Sequence, residues 1–218
     1  MATGEGGHYT RSRTLGNTVR GWIYDTTIKP LTGKWYREVL VRLPDGARLL
    51  DVGIGTAGAL LENVELVREK KLRITGVDID RDYVKRAQTQ VYKKDLVDNV
   101  TVLLESVYDH TAGPYDAVYF AASFMLMPDP VDALMHVNTL LAPDARVYFT
   151  QTFEDRKSFL AEKAKPLLKA VTTIDFGQVT YEKDFLSVVE AGGLDVVELT
   201  TMGKRGRRSF KLAVTAPR

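Results

Sequence analysis

The stretch Leu49-Leu50-Asp51-Val52-Gly53-Ile54-Gly55-Thr56-Ala57-Gly58 runs from a short apolar segment into three glycines. It is followed over 57–70 by apolar residues (Leu60, Leu61, Val64, Val67) on one helical face. That is the signature of a strand, a tight turn and a helix, in which glycine lets a ligand approach the backbone and the helix start offers free N–H groups. Outward from it the pattern repeats. Residues 72–78 read as a strand, 81–92 as a helix, 100–104 and 115–121 as strands, 131–141 as a helix ended by Pro143-Asp144, and 146–150 as a strand. Strands alternating with helices of this length imply βαβ units and a parallel sheet covered on both faces.

The C-terminal part changes rhythm. A Lys-bearing helix is expected over 154–170, and a second over 181–191 is closed by Gly192-Gly193. Strands at 196–201 and 209–215 are separated by seven residues, too few for a helical crossover, so this pair is expected to be antiparallel. The fold class is therefore α/β: a doubly wound, mostly parallel sheet with an antiparallel C-terminal hairpin. Pro44-Asp45-Gly46 is a turn that separates this domain, 45–218, from an N-terminal arm and helical segment, 1–44. Within 1–44 the first 16 residues carry no apolar period, and 19–43 fit one or two helices interrupted at Lys29-Pro30.

Composition narrows the function classes. The 218 residues carry 30 Lys+Arg, 28 Asp+Glu and no cysteine. The absence of Cys excludes disulfides, Cys-ligated zinc and thiol nucleophiles together. A net charge of +2 argues against a dedicated nucleic-acid binder. No apolar run is long enough to span a bilayer, and the N-terminus has no signal core. A cytoplasmic location is expected, with organelle targeting by the Arg-bearing arm as the alternative. No His/Asp/Glu group has the spacing of a metal site, so no metal is expected.

Gly53-x-Gly55-x-x-Gly58 alone is a weak dinucleotide fingerprint. Two acids sharpen it. Asp51, two residues before the first glycine, would repel a pyrophosphate but attract an ammonium or sulfonium. Asp78 ends the second strand 20 residues after Gly58, where a carboxylate accepts ribose hydroxyls; Asp80 beyond it suits a helix cap.

The segments LLDVGIGTAGAL, ITGVDID and YDAVYFAASFMLMPDP, at 49–60, 74–80 and 115–130, resemble the class I S-adenosylmethionine-dependent methyltransferases in order and spacing. Within that family, Ile23-Tyr24-Asp25 and the MPDP stretch look most like the small-molecule group that includes the ubiquinone/menaquinone enzymes. The resemblance implies a seven-stranded Rossmann-like sheet and S-adenosyl-L-methionine as cofactor, with S-adenosyl-L-homocysteine as product. It implies that Asp51, Gly53, Gly55 and Thr56 hold the methionine moiety, that Asp78 binds the ribose and that Ile79 packs on the adenine. Ser106-Val107 stand where many members place an Asp toward the adenine amino group; a hydroxyl can bond there instead. Ala121, with Ala122, ends the fourth strand at the edge where family members contact the cofactor and admit substrate, beside Ser123, Phe124 and Met125.

Methyl transfer needs alignment in a dry pocket more than it needs an acid or base. Of the three histidines, His8 lies in the arm, His136 is expected on a helix surface, and His110 lies in a loop where it is a candidate base. Tyr24 is the other candidate pocket residue, on the helical lid over the cofactor that the family resemblance makes of 1–44. The basic amphipathic segment 153–181 suits a lid or the face of a homodimer, and Lys204-Arg205-Gly206-Arg207-Arg208 an exposed, charged hairpin tip. The expected reaction is methylation of carbon, nitrogen or oxygen on a small-molecule acceptor. Alternatives are a protein or nucleic-acid methyltransferase, a non-catalytic methyltransferase-like subunit and an NAD-dependent dehydrogenase. No Asn/Asp-Pro-Pro-aromatic signature follows the fourth strand, which disfavours nucleic-acid amino methylation, and Asp51 disfavours the dehydrogenase.

Overall fold

In a computed structural model, which describes residues 29–154 and 181–218, the apolar runs pair into one seven-stranded sheet of order β3-β2-β1-β4-β5-β7-β6. The strands are β1 (Arg48–Val52), β2 (Arg73–Asp78), β3 (Val100–Leu104), β4 (Tyr115–Ala121), β5 (Leu141–Glu154), β6 (Leu194–Arg205) and β7 (Arg208–Pro217). The helices are α1 (Lys29–Leu40), α2 (Val64–Glu69), α3 (Arg81–Lys93), α4 (Pro130–Asn138) and α5 (Glu182–Ala191). Strands β1 to β5 pair in parallel, and β7 inserts antiparallel between β5 and β6. No helix among the described residues is long and apolar enough to cross a membrane. The arm, Tyr24 and the segment 155–180, with its expected helix and dimer face, lie outside the described residues.

Period-2 alternation divides the sheet between two cores. On β4, Ala117 and Tyr119 face one cluster and Val118 and Phe120 the other; Leu49 and Leu50 divide likewise on β1. The first cluster is covered by α1, α2 and α3 through Tyr36, Val39, Leu40, Val67, Val84, Ala87 and Val91. The second is covered by α4 and α5, through Ala133, Leu134, Val137, Phe185 and Val189. Inside it Phe120 stacks on Phe149 at 5.2 Å, and Phe124 and Phe185 meet Phe149 edge-on at 4.9 and 5.3 Å. Such pairs add about 0.5–1.5 kcal/mol each beyond area burial. They tie α5 and the turn after β4 to the centre of the sheet.

Three elements differ from expectation. The helix expected over 57–70 is a 3-10 turn, Leu60–Asn63, followed by the six-residue α2. Ala57 at φ 58° and Asn63 at φ −116° leave helical geometry, and the Asn63 amide instead donates to the Gly33 carbonyl on α1 at 3.0 Å. Strand β5 runs to Glu154 rather than Thr150, because β7 pairs with it along its whole upper length. Its lower end contains Pro143-Asp144, expected to close the preceding helix, with Asp144 at φ 62° and a register shift against β4. A Pro in a strand belongs at such an irregularity, where no ladder N–H is required. The hairpin is antiparallel as expected, with longer strands and a two-residue tip, Gly206-Arg207.

Phe149→Ala should destabilise the fold by about 3–5 kcal/mol, as a large cavity opens among aromatic neighbours that cannot collapse. Equilibrium urea unfolding measures this; a loss under 1 kcal/mol would mean the cluster does not hold the second face.

Candidate functional site

The strand order reverses beside β1: β2 and β3 lie on one side, β4 and β5 on the other. A crevice forms at the carboxyl ends of β1 and β4, where the following loops diverge. Everything the glycine turn carries sits there.

Gly53 leaves β1 at φ +75°, and its N–H donates to the Val77 carbonyl on β2 at 2.8 Å. A side chain is excluded at Gly53, since a Cβ would lie 2.6 Å from the Ser123 Cβ. Gly55 has φ +59° and open space where a Cβ would stand. Its N–H donates to Asp78 Oδ2 at 2.9 Å, while the Asp80 N–H donates to Asp78 Oδ1 at 2.8 Å. Asp78 thus clasps the glycine turn to the end of β2. Burial pushes its carboxyl above the ordinary range against the pull of those backbone donors. Asp80 caps α3 as expected, accepting from the Asp82 and Tyr83 N–H groups at 2.9 and 3.0 Å. Ile79, between the two acids, is 78% exposed.

Asp51 is 0% exposed. Its Oδ2 accepts from the Tyr36 hydroxyl at 2.8 Å, and its Oδ1 is buried with no hydrogen-bond partner. Burial, with the Asp78 charge adding to it, raises the carboxyl to about 7 although the Tyr36 bond pulls it down. Tyr36 was not singled out by the sequence reading, which places it only on the apolar face of a helix. The signal is there nonetheless: a tyrosine on a buried stripe with Val39 and Leu40 needs a partner for its hydroxyl. Thr32 and Tyr36 of α1 close a small cavity with Gly53, Ile54, Thr56, Gly58, Ala59 and Ala121.

The remaining candidates divide. The Glu105 N–H donates to the Asp78 carbonyl at 3.1 Å, which brings the loop after β3 beside the ribose candidate. Ser106, half-buried, accepts from the Tyr108 N–H at 3.4 Å, whereas the Val107 side chain is turned into the second core. Ala121 ends β4 at the cavity, and Ala122 follows in the left-handed region at φ 57°. Such strain in a non-glycine residue persists only where its surroundings enforce it. Ser123 donates its hydroxyl to the Val52 carbonyl, and Phe124 is buried in the second core rather than lining the mouth.

His110 is 2% exposed. Its Nδ1 donates to Glu105 Oε2 at 2.9 Å, since a carboxylate only accepts, and Nε2 meets the Tyr115 hydroxyl at 2.8 Å. Both ring nitrogens are engaged, so His110 braces the loop after β3. His136, expected on the surface, is half-buried and its Nε2 donates to the His110 carbonyl at 2.8 Å. Among the described residues no group of His, Asp or Glu is placed to hold a metal ion.

With this geometry in view, the profile of the methyltransferase domain family matches residues 25–199. The chain belongs to the S-adenosylmethionine-dependent methyltransferase family. It is 30% identical over 134 residues to a ubiquinone biosynthesis O-methyltransferase of Bordetella avium (strain 197N), a match covering 61% of this chain and 54% of that protein. The chain thus spans about half the length of that curated relative. An S-adenosylmethionine-dependent methyltransferase of Aquifex aeolicus has the same fold, with TM-score 0.64 at 21% identity over 83% of this chain and 88% of that one. So does an S-adenosylmethionine-dependent methyltransferase of Geobacter sulfurreducens crystallised with S-adenosyl-L-homocysteine, with TM-score 0.64 at 14% identity over 87% and 91%.

The residues present fit the family's cofactor. A buried carboxylate oxygen without a donor suits an ammonium, and an exposed isoleucine beside an acid suits a nucleoside.

Gly53→Ala should cost about 3 kcal/mol, from left-handed strain plus the clash with Ser123, and Gly55→Ala about 1 kcal/mol from strain alone. Urea unfolding of the two variants side by side measures the difference; equal costs would remove the close approach to Ser123 from the account.

Proposed function

We propose that this chain transfers a methyl group from S-adenosylmethionine to a small-molecule acceptor. The unpartnered oxygen of Asp51 carries this reading: an anion buried without a cation suits a ligand that brings one, and an ammonium-bearing cofactor does so where a pyrophosphate does not. The cofactor supplies a methyl group activated by a sulfonium. Asp51 binds the ammonium, with Gly53, Gly55 and Thr56 shaping the turn around the methionine moiety. Asp78 would take the ribose hydroxyls, beside the backbone N–H groups of Gly55 and Asp80 that its carboxylate already accepts. Ile79 would pack on the adenine, and the Ser106 hydroxyl would be the group available to its amino group.

The protein's part in the reaction is exclusion of water and alignment of the acceptor with the methyl group. Residues 1–44, described from Lys29 onward, would serve as the lid, with 45–218 as the cofactor-binding domain. Tyr24, outside the described residues, is the lid's candidate pocket residue. His110, with both nitrogens engaged, is a brace in this reading rather than a base. A small-molecule acceptor is supported by the Bordetella relative, whose name gives ubiquinone biosynthesis.

Calorimetric titration tests the cofactor. S-adenosylhomocysteine should bind at micromolar concentration and NADH should not; Asp78→Ala should weaken that binding about 30- to 150-fold, for two lost charge-assisted hydrogen bonds. Wild-type affinity in a folded Asp78→Ala protein removes Asp78 from the site. Labelled methyl transferred from the cofactor should appear in the small-molecule fraction of a lysate; label in protein or nucleic acid would overturn the acceptor class, and no transfer would favour a non-catalytic subunit.

A further inference from the structure

Asp51 lies in an unusual electrostatic setting. Strand β2 contributes the Asp78 carboxylate beside it. Strand β4 contributes Tyr119, directly across in register, whose ring meets Tyr36 edge-on at 4.9 Å and whose hydroxyl bonds Thr150 of β5 at 2.7 Å. Helix α1 contributes the Tyr36 hydroxyl, while its cations Lys34 and Arg37 are exposed, as is Glu62 of the 3-10 turn. Among the described residues no cation pairs with Asp51. The carboxyl therefore has one neutral donor, one anionic neighbour and an empty acceptor position.

We propose that Tyr36 is a positioning residue that sets the ionisation of Asp51, so that cofactor capture at this site expels a proton. The inference rests on the S-adenosylmethionine reading above. An ammonium arriving at Oδ1 selects the carboxylate, and the proton held by the neutral fraction leaves to solvent. The Tyr36 hydroxyl favours the carboxylate before the ligand arrives, which keeps the site receptive near neutral pH. Because Tyr36 belongs to α1, the bond that favours the carboxylate also ties that helix to β1. Burial raises the carboxyl to about 7, so the linkage falls near neutral pH.

Tyr36→Phe probes the effect, since it keeps the ring against Tyr119 and removes the hydroxyl that donates to Asp51. The measurement is calorimetric titration of wild type, Tyr36→Phe and Asp51→Asn with S-adenosylhomocysteine from pH 6 to 8.5, with pH 7 repeated in phosphate and imidazole to count protons. Wild type should release protons on binding near pH 7, with affinity rising as pH increases from 6 and levelling once Asp51 is ionised. Tyr36→Phe should move that midpoint up by about one pH unit, weaken binding about fivefold at pH 7 and converge on wild type within about 1.5-fold at pH 8.5. Asp51→Asn should abolish the proton release. A carbon-13 carboxyl titration of Asp51 in the unliganded protein should show the same upward shift in Tyr36→Phe. An unchanged midpoint in that variant, or weakening by the same factor at every pH, overturns the proposal and leaves the cofactor reading standing. No binding by wild type at any pH overturns both.

Discussion

A carboxylate with no exposed surface is held by a single tyrosine hydroxyl under the glycine turn, and much of the site is arranged around that contact. Burying an unpaired charge is costly, and a protein ordinarily avoids it or neutralises the group. Here the cost is concentrated at the carboxyl end of β1, where the sheet reverses direction and the fold opens a crevice. The Tyr36–Asp51 bond also fixes α1, because the tyrosine cannot reach β1 unless the helix lies across the first face. The Asn63 amide on the Gly33 carbonyl holds the same helix from the other side. Helix α1 is thus joined to β1 and to the 3-10 turn by two directional hydrogen bonds as well as by apolar packing.

The turn itself is set by close approach. Gly53 leaves no room for a side chain against Ser123, and Gly76 on β2 leaves none against Ile54, whose Cδ1 would lie 2.3 Å from a Cβ there. The Asp78 carboxylate then closes the arrangement by accepting from both the turn and the start of the next helix. Strands β1 and β2 and the loop between them therefore behave as one rigid cradle. The strained Ala122 at the end of β4 forms the opposite lip, bonded through its N–H to Thr150 of β5 at 2.9 Å.

The parts of this arrangement that were legible in the sequence are those with a local physical cause. Strands buried on both faces are dominated by apolar residues, so Leu49, Leu50 and Val52 around Asp51, and Ala117–Ala121, announced themselves. A seven-residue link forced the hairpin to be antiparallel. Asp51, Gly53 and Asp78 stood out because glycine and acid at those spacings have few other uses. What escaped depended on partners distant in sequence. The break at Asn63 exists because of Gly33, thirty positions earlier. The upper length of β5 is decided by β7. His136 looked like a surface residue until the His110 carbonyl came within its reach, and the hydroxyl of Tyr36 had no visible destination without Asp51.

The insertion of β7 between β5 and β6 has a consequence for the order of assembly. Arg208–Pro217, the last strand in chain order, is hydrogen-bonded on both sides, so an interior strand is the last to be made. Until it leaves the ribosome, β5 presents its upper edge unpaired and β6 has no strand to pair with among the described residues. The parallel half of the sheet, with the glycine cradle, can form during synthesis, while the half bearing the hairpin must wait. During that interval β5 is an open template, and a chain stalled or cleaved before Arg208 carries an exposed sheet edge into the company of other nascent chains.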